Sequence, residues 1–420
     1  MIRRMALSIL ILLPLLSMVG CEAVPQEGAD VVRAEKERVT APQVSDDTLE
    51  ALVEGNTAFA FDLYRFLEGK EDNLFYSPYS ISVALAMTYA GARGETEEQM
   101  ADVLHFTLPQ DRLHPAFNAL DLALAGRGTA EEGFRLHVVN AIWGQEGYKF
   151  LADFLHTLAE NYGAGLRVLD FRSEPEESRI IINDWVAEET EERIEDLLSP
   201  KDIDSSTILV LTNAIYFNAA WQHPFQEAQT EDGIFYLLDG EETTVPMMKQ
   251  TESFPYAQGE GYKALELPYE GGELSMVILL PKKGEFENFE ETLDAESIEA
   301  VVEDMTSTSV ALTMPKFSFD WDVSLKKMLS AMGMPLAFGD ADFSGMTGDR
   351  ALFIDDVIHK AFVSVDEEGT EAAAATAVVM REAMPASPVE FTVDRPFILL
   401  IRDRATGTIL FVGRVMEPSA

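Results

Sequence analysis

One segment near the C-terminus, uncharged along one side, has the pattern of a strand that could insert into an existing β-sheet. Two acids and Gly369 lead into a series of small and β-branched residues. If Gly369 is a hinge and the following residues form a strand, alternate side chains face opposite sides. One side carries no charge from Thr370 to Met380, whereas the other carries Glu371 and Arg381. Because a buried unpaired charge is costly, only the uncharged side suits a sheet interior.

The hinge segment permits a second interpretation, an exposed alanine-rich loop or a frayed helix, because alanine is the best helix former. The candidate hinge residues are Glu367, Glu368, Gly369, Thr370, Glu371, Ala372, Ala373, Ala374, Ala375 and Thr376.

No motif for enzymatic catalysis accompanies this run. The sequence contains no His-Glu-x-x-His, Gly-x-Ser-x-Gly or P-loop pattern. With one cysteine and six scattered histidines, a thiolate or imidazole metal cage is not expected. Residues 259–264 fit a dinucleotide fingerprint weakly, but Pro255 breaks the strand that should precede it. We therefore predict neither an enzyme nor a cofactor or metal site.

The elements that must position the hinge are mixed, which predicts an α+β fold. Apolar runs at 208–217, 274–280 and 397–401 are typical of buried strands. Residues 183–198 and 323–332 show helical spacing.

Blocks spread over residues 48 to 418 resemble the serpin family, and they follow one another in the family's order. They include Asn73–Ser82, Gly91–Gly94, Asn183–Val186 with Thr190 and Ile194–Leu198, Leu211–Phe217 with Trp221 and Phe225, Pro315–Phe317, Met332–Met334, Ala341–Gly345, and Asp394–Ile398 through Gly413–Val415. The hinge segment resembles the family's reactive-loop hinge. The resemblance implies one domain at 48–418, with three β-sheets, about nine helices and an exposed reactive-centre loop at about 367–390.

The mechanism implied by the resemblance is suicide inhibition of a serine protease. The protease would attack the loop as a substrate, and insertion of the cleaved loop into the central sheet would trap the acyl-enzyme. The alternative is a non-inhibitory serpin that acts as a binding or chaperone protein. Such members typically carry charged or bulky hinge residues, which are absent here from the side that would face the sheet interior.

The reactive bond follows from spacing within the resemblance. It lies roughly fourteen residues beyond the hinge glycine in the family, which selects Ala383–Met384. Counting back from Pro396 moves it to about Pro385, and Arg381 is a third candidate. A small apolar residue favours elastase-like, chymotrypsin-like or subtilisin-like proteases, whereas Arg381 would suit trypsin-like enzymes. A papain-like cysteine protease is less favoured.

Polar residues at family positions should control the opening of the sheet. Ser77, Ser80, Asn213 and His359 are expected beneath the opening, where they could form different hydrogen bonds before and after insertion. Glu367 is expected to pair with Lys316 near Trp221.

The net charge of -42 argues against nucleic-acid partners, whose phosphates require clustered Lys and Arg. It argues equally against an anionic membrane surface, and we expect a monomer. Self-repulsion at this charge is best tolerated in salty surroundings, which leaves a salt-adapted origin open.

Residues 1–20 have the pattern of an export signal. Arg3 and Arg4 precede an apolar stretch too short to span a bilayer. Gly20-Cys21 resembles a bacterial lipoprotein cleavage box, which predicts that Cys21 is lipidated and holds the protein in the cell envelope or at the cell surface. An ordinary secretory signal is the alternative. Residues 21–47 are predicted to form a flexible tether.

Overall fold

The computed structural model describes residues 29–67, 72–127, 135–370 and 387–418. Several predictions lie outside the described residues, namely those on the signal peptide, Cys21, hinge residues 371–376, Arg381, Ala383, Met384 and Pro385.

Ten α-helices occur in the described part of the chain. They are α1 (Asp46–Leu67), α2 (Pro78–Tyr89), α3 (Gly94–Val103), α4 (Gln110–Ala125), α5 (Ala152–Tyr162), α6 (Pro175–Glu189), α7 (Phe286–Glu290), α8 (Ala295–Glu303), α9 (Lys326–Met332) and α10 (Ser344–Thr347). Two short 3-10 helices lie at Glu227–Gln229 and Pro335–Phe338.

The strands confirm the α+β class. They are β1 (Asp30–Val32), β2 (Leu74–Tyr76), β3 (Arg135–Gln145), β4 (Leu166–Leu169), β5 (Leu209–Ala220), β6 (Glu231–Tyr236), β7 (Glu242–Gln258), β8 (Tyr262–Pro268), β9 (Leu274–Pro281), β10 (Thr306–Pro315), β11 (Phe317–Ser324), β12 (Asp356–Val365), β13 (Gly369–Thr370), β14 (Val389–Thr392), β15 (Phe397–Asp403) and β16 (Ile409–Val415).

The first sheet has seven strands in the order β1-β4-β3-β5-β13-β12-β11. Strands β5 and β12 pair in parallel from Asp356 to Ala361. The two residues of β13 lie between these strands at one end and run antiparallel to both. Helix α2 is buried along its whole length and contacts β3 and β5.

The second sheet runs β14-β10-β7-β8-β9-β15-β16-β2, with β6 on the side of β7. The described residues thus form two hydrogen-bonded sheets, because two of the three expected sheets are joined into one. The reason is β7, whose 17 residues pair with β6 near one end and with β8 at the other. Because β7 is long enough to pair with both strands, the hydrogen bonding continues without a break from one part of the sheet to the other.

The three predicted buried strands are confirmed as β5, β9 and β15. The helix predicted for 183–198 ends earlier, at Glu189. Glu191 and Glu192 have left-handed backbones with φ of 51° and 61°, a conformation that cannot continue a right-handed helix. In the segment 323–332, the first two residues belong to β11, and α9 begins only at Lys326.

The second half of the predicted tether is bound to the domain. Strand β1 pairs antiparallel with β4. The Arg38 guanidinium lies 2.6 Å from an Asp121 carboxylate oxygen, and the Val39 amide donates to the Glu160 carbonyl at 2.9 Å. The flexible tether predicted for 21–47 is therefore wrong from Asp30 onward, because these backbone groups and Arg38 find partners on β4, α4 and α5.

Candidate functional site

The hinge begins inside the first sheet rather than in solvent. Gly369 pairs with Ala220, and Thr370 pairs with Ala219 on β5 and with Val365 on β12. Thr370 is only 1% exposed. The prediction of an exposed loop from about residue 367 is thus wrong for its first residues. At this end of the sheet β5 and β12 no longer pair with each other, and Gly369 and Thr370 form hydrogen bonds between them.

Glycine is required at position 369 by contact with β5. A Cβ atom there would lie 2.1 Å from the Ala219 carbonyl oxygen, which is a backbone atom that cannot swing aside. Any side chain at this position would therefore push the segment away from β5.

A tight turn before the glycine directs the chain into the sheet. An Asp366 carboxylate oxygen accepts hydrogen bonds from the amides of Glu368 and Gly369, at 2.9 and 3.2 Å. The Asp366 amide donates to the Gly369 carbonyl. Trp221 holds the turn from the side, since its indole N–H donates to the Asp366 carbonyl and its amide to the Glu368 carbonyl.

The predicted ion pair between Glu367 and Lys316 is present, with the Lys316 ammonium 2.6 Å from a carboxylate oxygen. Thr230 donates to the other oxygen at 2.6 Å. Burial by itself raises the pKa of Glu367, but the hydrogen bonds from Lys316 and Thr230 outweigh it and hold the pKa below its usual value. Glu367 is therefore a charged anchor at the root of the loop.

Thr370 has a buried partner on the core side. Its hydroxyl lies 2.8 Å from the Tyr269 hydroxyl. The Tyr269 ring stacks on Trp221, with ring centroids 4.7 Å apart. Burial raises the pKa of Tyr269 well above its ordinary value, so the phenol stays neutral.

A buried polar network lies beneath the junction of β5 and β12. The side-chain nitrogen Nδ2 of Asn213 donates to Ser80 Oγ at 2.6 Å and also to Asn140 Oδ1. His359 Nδ1 contacts the side-chain oxygen Oδ1 of Asn213, and His359 Nε2 accepts from the Ser77 backbone amide at 3.2 Å. The structure thus brings together Ser77, Ser80, Asn213 and His359, as predicted.

His359 is neutral in this network. Burial lowers its pKa to about 3. Since Nε2 accepts a hydrogen bond from the Ser77 amide, the ring proton lies on Nδ1, where it can be donated to Asn213.

Four contributors were missed by sequence reasoning: Thr230, Tyr269, Asp366 and Asn140. Asn140 could have been found, because it interrupts the apolar run Val138–Trp143. The other three lie at turns or strand ends, and only the tertiary structure brings them to the hinge.

Among the described residues, no three His, Cys, Asp or Glu side chains form a group that could hold a metal ion. The described helices include none that is long and apolar enough to cross a bilayer.

Residues 54–418 match the family model described as Serpin (serine protease inhibitor). The chain belongs to the serpin family. This serpin is 43% identical over 387 residues to an uncharacterized serpin-like protein of Thermococcus kodakarensis, covering 90% of each chain. It is 40% identical over 383 residues to leukocyte elastase inhibitor A of Mus musculus, covering 88% of this serpin and all of the relative.

A crystal structure of a thermophilic serpin, tengpin, in the native state has a TM-score of 0.83 and 27% sequence identity, covering 93% of this serpin and 100% of that chain. A crystal structure of human thyroxine-binding globulin complexed with thyroxine has a TM-score of 0.81 and 32% sequence identity. The match covers 89% of this serpin and 100% of that chain. The expected α+β serpin fold is therefore confirmed.

Proposed function

We propose that this serpin is a suicide-substrate inhibitor of extracellular serine proteases. The observation that carries the proposal is β13, two residues at the start of the predicted inserting strand that are already hydrogen-bonded between β5 and β12. A protease that cleaves the loop beyond this point would free the strand to continue between them.

The β13 pairing sets the register of such an insertion. Thr376 is six positions beyond Thr370, and Asn213 and His359 are each six positions before the partners of Thr370, Ala219 and Val365. In the same register, Thr376 would lie between Asn213 and His359, facing the core as Thr370 does. Insertion would then replace the hydrogen bond between those two side chains with contacts to a threonine hydroxyl.

The residues that would face the core during insertion carry no charge as far as Met380. They therefore add sheet hydrogen bonds and apolar burial without the cost of a buried charge. The protease supplies its own catalytic triad for the attack and is left as a stalled acyl-enzyme. This serpin contributes the reactive bond that the protease attacks and the strand that inserts.

We propose that the reactive bond is Ala383–Met384, with Arg381 and Pro385 as alternatives. The proposed targets are elastase-like, chymotrypsin-like or subtilisin-like enzymes. The name of the mouse relative, an elastase inhibitor, is consistent with this choice. Incubation with one protease of each class and one trypsin-like protease tests it. A complex that survives denaturing electrophoresis supports inhibition, and sequencing the released C-terminal fragment locates the bond. Cleavage of the loop without any complex would instead favour a binding or chaperone role, as in the thyroxine-binding relative.

We further propose that Cys21 is lipidated and tethers the protein to the cell envelope. The lone cysteine follows an export-type segment. In a bacterial host, the parent should incorporate labelled fatty acid and fractionate with membranes, whereas Cys21→Ser should not. Label in both proteins, or in neither, would contradict the assignment.

A further inference from the structure

Arg167 on β4 is a partly buried cation that stacks on two tryptophan rings. Its guanidinium carbon lies 4.2 Å from the ring centroid of Trp185 on α6 and 5.4 Å from that of Trp143 on β3. The two rings meet edge to face, with centroids 5.3 Å apart. In the part of the chain that the structure describes, no carboxylate lies within ion-pair distance of Arg167. A cation–π stack therefore joins α6 to β3 and β4.

The stack continues through Trp143 to the strand at which the sheet would open. Trp143 is completely buried, and its indole N–H donates to the Thr212 hydroxyl on β5 at 2.8 Å. Thr212 lies opposite Ile358 in the parallel pairing of β5 with β12. Helix α6 is thus connected, through β4 and β3, to the junction of β5 and β12.

Residues 175–203, which we call the α6 segment, cover this junction from the outer side of the first sheet. Their apolar side chains form one cluster with residues of β5 and with Ile358 of β12. The side chain of Asn183 exchanges hydrogen bonds with the Leu198 backbone at 2.8 and 2.9 Å, which fixes the end of the segment to its helix. The cluster includes Ile182, Val186, Ile194, Leu197, Leu198, Ile203, Val210 and Ala214.

A strand inserted in the β13 register would enter beneath the α6 segment. Ala377 is seven positions beyond Thr370. In this register it would lie between Thr212 and Ile358, on the side that faces the segment. Because protein interiors are closely packed, the α6 segment must rise from the sheet while the strand enters. Any contact that holds α6 on the sheet therefore opposes insertion.

We propose that Arg167 is a positioning residue that sets the rate of loop insertion by holding α6 on β3 and β4. This role depends on the loop insertion proposed above. Because the guanidinium is partly shielded from solvent, its attraction to the two rings is stronger than at an exposed site. Burial lowers the pKa of Arg167, which agrees with this loss of solvent. Lifting α6 would break the stack, so a variant without the stack should accept a strand sooner.

The test measures how fast the native sheet accepts a strand, without any protease. A fluorescein-labelled synthetic peptide with the sequence of residues 371–381 is added, and its incorporation is followed by fluorescence anisotropy. We expect Arg167→Met, which keeps an unbranched apolar side chain, to raise the rate of incorporation about tenfold. Arg167→Lys keeps a cation over the rings and should stay within about threefold of the parent.

Two controls separate this role from a loss of charge and from a loss of stability. Arg33→Met removes the same charge from an exposed position directly after β1. Ile278→Val lowers stability at a fully buried position of the second sheet, away from α6. Neither control should change the rate by more than about twofold.

Trp185→Leu removes the stack from its other partner and should accelerate incorporation as Arg167→Met does. If both variants keep the parental rate, or if Ile278→Val accelerates incorporation equally, Arg167 has no positioning role. A parent protein that never takes up the peptide would instead contradict loop insertion itself, and with it the proposed inhibition.

Discussion

The hydroxyls of Thr370 and Tyr269 lie 2.8 Å apart inside the first sheet, so the hinge has a buried partner before any protease acts. The Tyr269 ring in turn stacks on Trp221, which also holds the turn at Asp366. The start of the loop thus contacts Tyr269 through Thr370, and it contacts the fluorescent side chain of Trp221 through Asp366.

Thr370→Val should lower the free energy of unfolding of the native protein by about 1–3 kcal/mol, because the Tyr269 hydroxyl loses its partner in a buried site. Tyr269→Phe removes the orphaned hydroxyl as well, so the double variant should be less destabilised than the sum of the singles. Urea unfolding followed by tryptophan fluorescence measures both. Strict additivity would mean that the two hydroxyls are not coupled.

Thr370→Arg should turn an inhibitor into a substrate and also destabilise the native state. A hinge exposed before cleavage would tolerate this arginine, but Thr370 is 1% exposed, so the charge must be buried or β13 must leave the sheet. The moles of inhibitor consumed per mole of protease inactivated should rise several-fold, and the melting temperature should fall. Glu371→Arg, on the opposite side of the predicted strand, is the control. If both variants behave alike, the assignment of the inserting side is wrong.

Thr376→Val should lower the melting temperature of the loop-cleaved form more than that of the native form. In the proposed register, the valine would enter between Asn213 and His359 and leave their polar groups without a hydroxyl partner. Thr376→Ser keeps the hydroxyl and should restore most of the difference. Calorimetry of native and cleaved samples provides the comparison, and equal shifts in both forms would rule out this register.

Glu367→Lys should increase polymerisation on mild heating. The variant places a second cation beside Lys316, where the carboxylate is now 6% exposed and paired at 2.6 Å. Without this ion pair, the start of the loop would be held less firmly, and strand edges of the first sheet would become accessible to a second molecule. Glu231→Lys is the control. It breaks the ion pair between Glu231, which is 71% exposed, and Lys249, which is 42% exposed, and it should have little effect. Size-exclusion profiles after heating distinguish the two, and a Glu367→Lys profile like the parent's would contradict the anchoring role.

Stability should fall as the pH drops from about 6.5, the ordinary pKa of histidine in an unfolded chain. Burial lowers the pKa of His359 to about 3 and that of His114 to about 4. Between these values and about 6.5 the unfolded chain binds the extra protons, so folding is disfavoured by about 1.4 kcal/mol per pH unit for each histidine.

Between pH 7 and pH 5, this loss is about 2 kcal/mol for each of the two groups. Urea midpoints for the parent and for His359→Gln isolate one contribution, because the variant lacks that titration. An identical pH dependence in both proteins would show that His359 does not titrate on unfolding.

The sequence alone determined the family, the α+β class, the buried strands and the polar positions that meet beneath the sheet. Each depends on local pattern: apolar runs for β5, β9 and β15, and motif spacing for Asn213 and His359. The ion pair of Glu367 with Lys316 was also predictable, since both residues lie in blocks that match the family.

The tertiary structure alone decided where the loop begins. Whether Gly369 and Thr370 lie in solvent or in the sheet depends on how far β5 and β12 part at one end, and on Tyr269 and Asp366 being there to hold them. The same holds for β1, whose docking depends on the free edge of β4 and on Asp121 lying within reach of Arg38. These are contacts between segments distant along the chain, and no local pattern of residues encodes the distance between them.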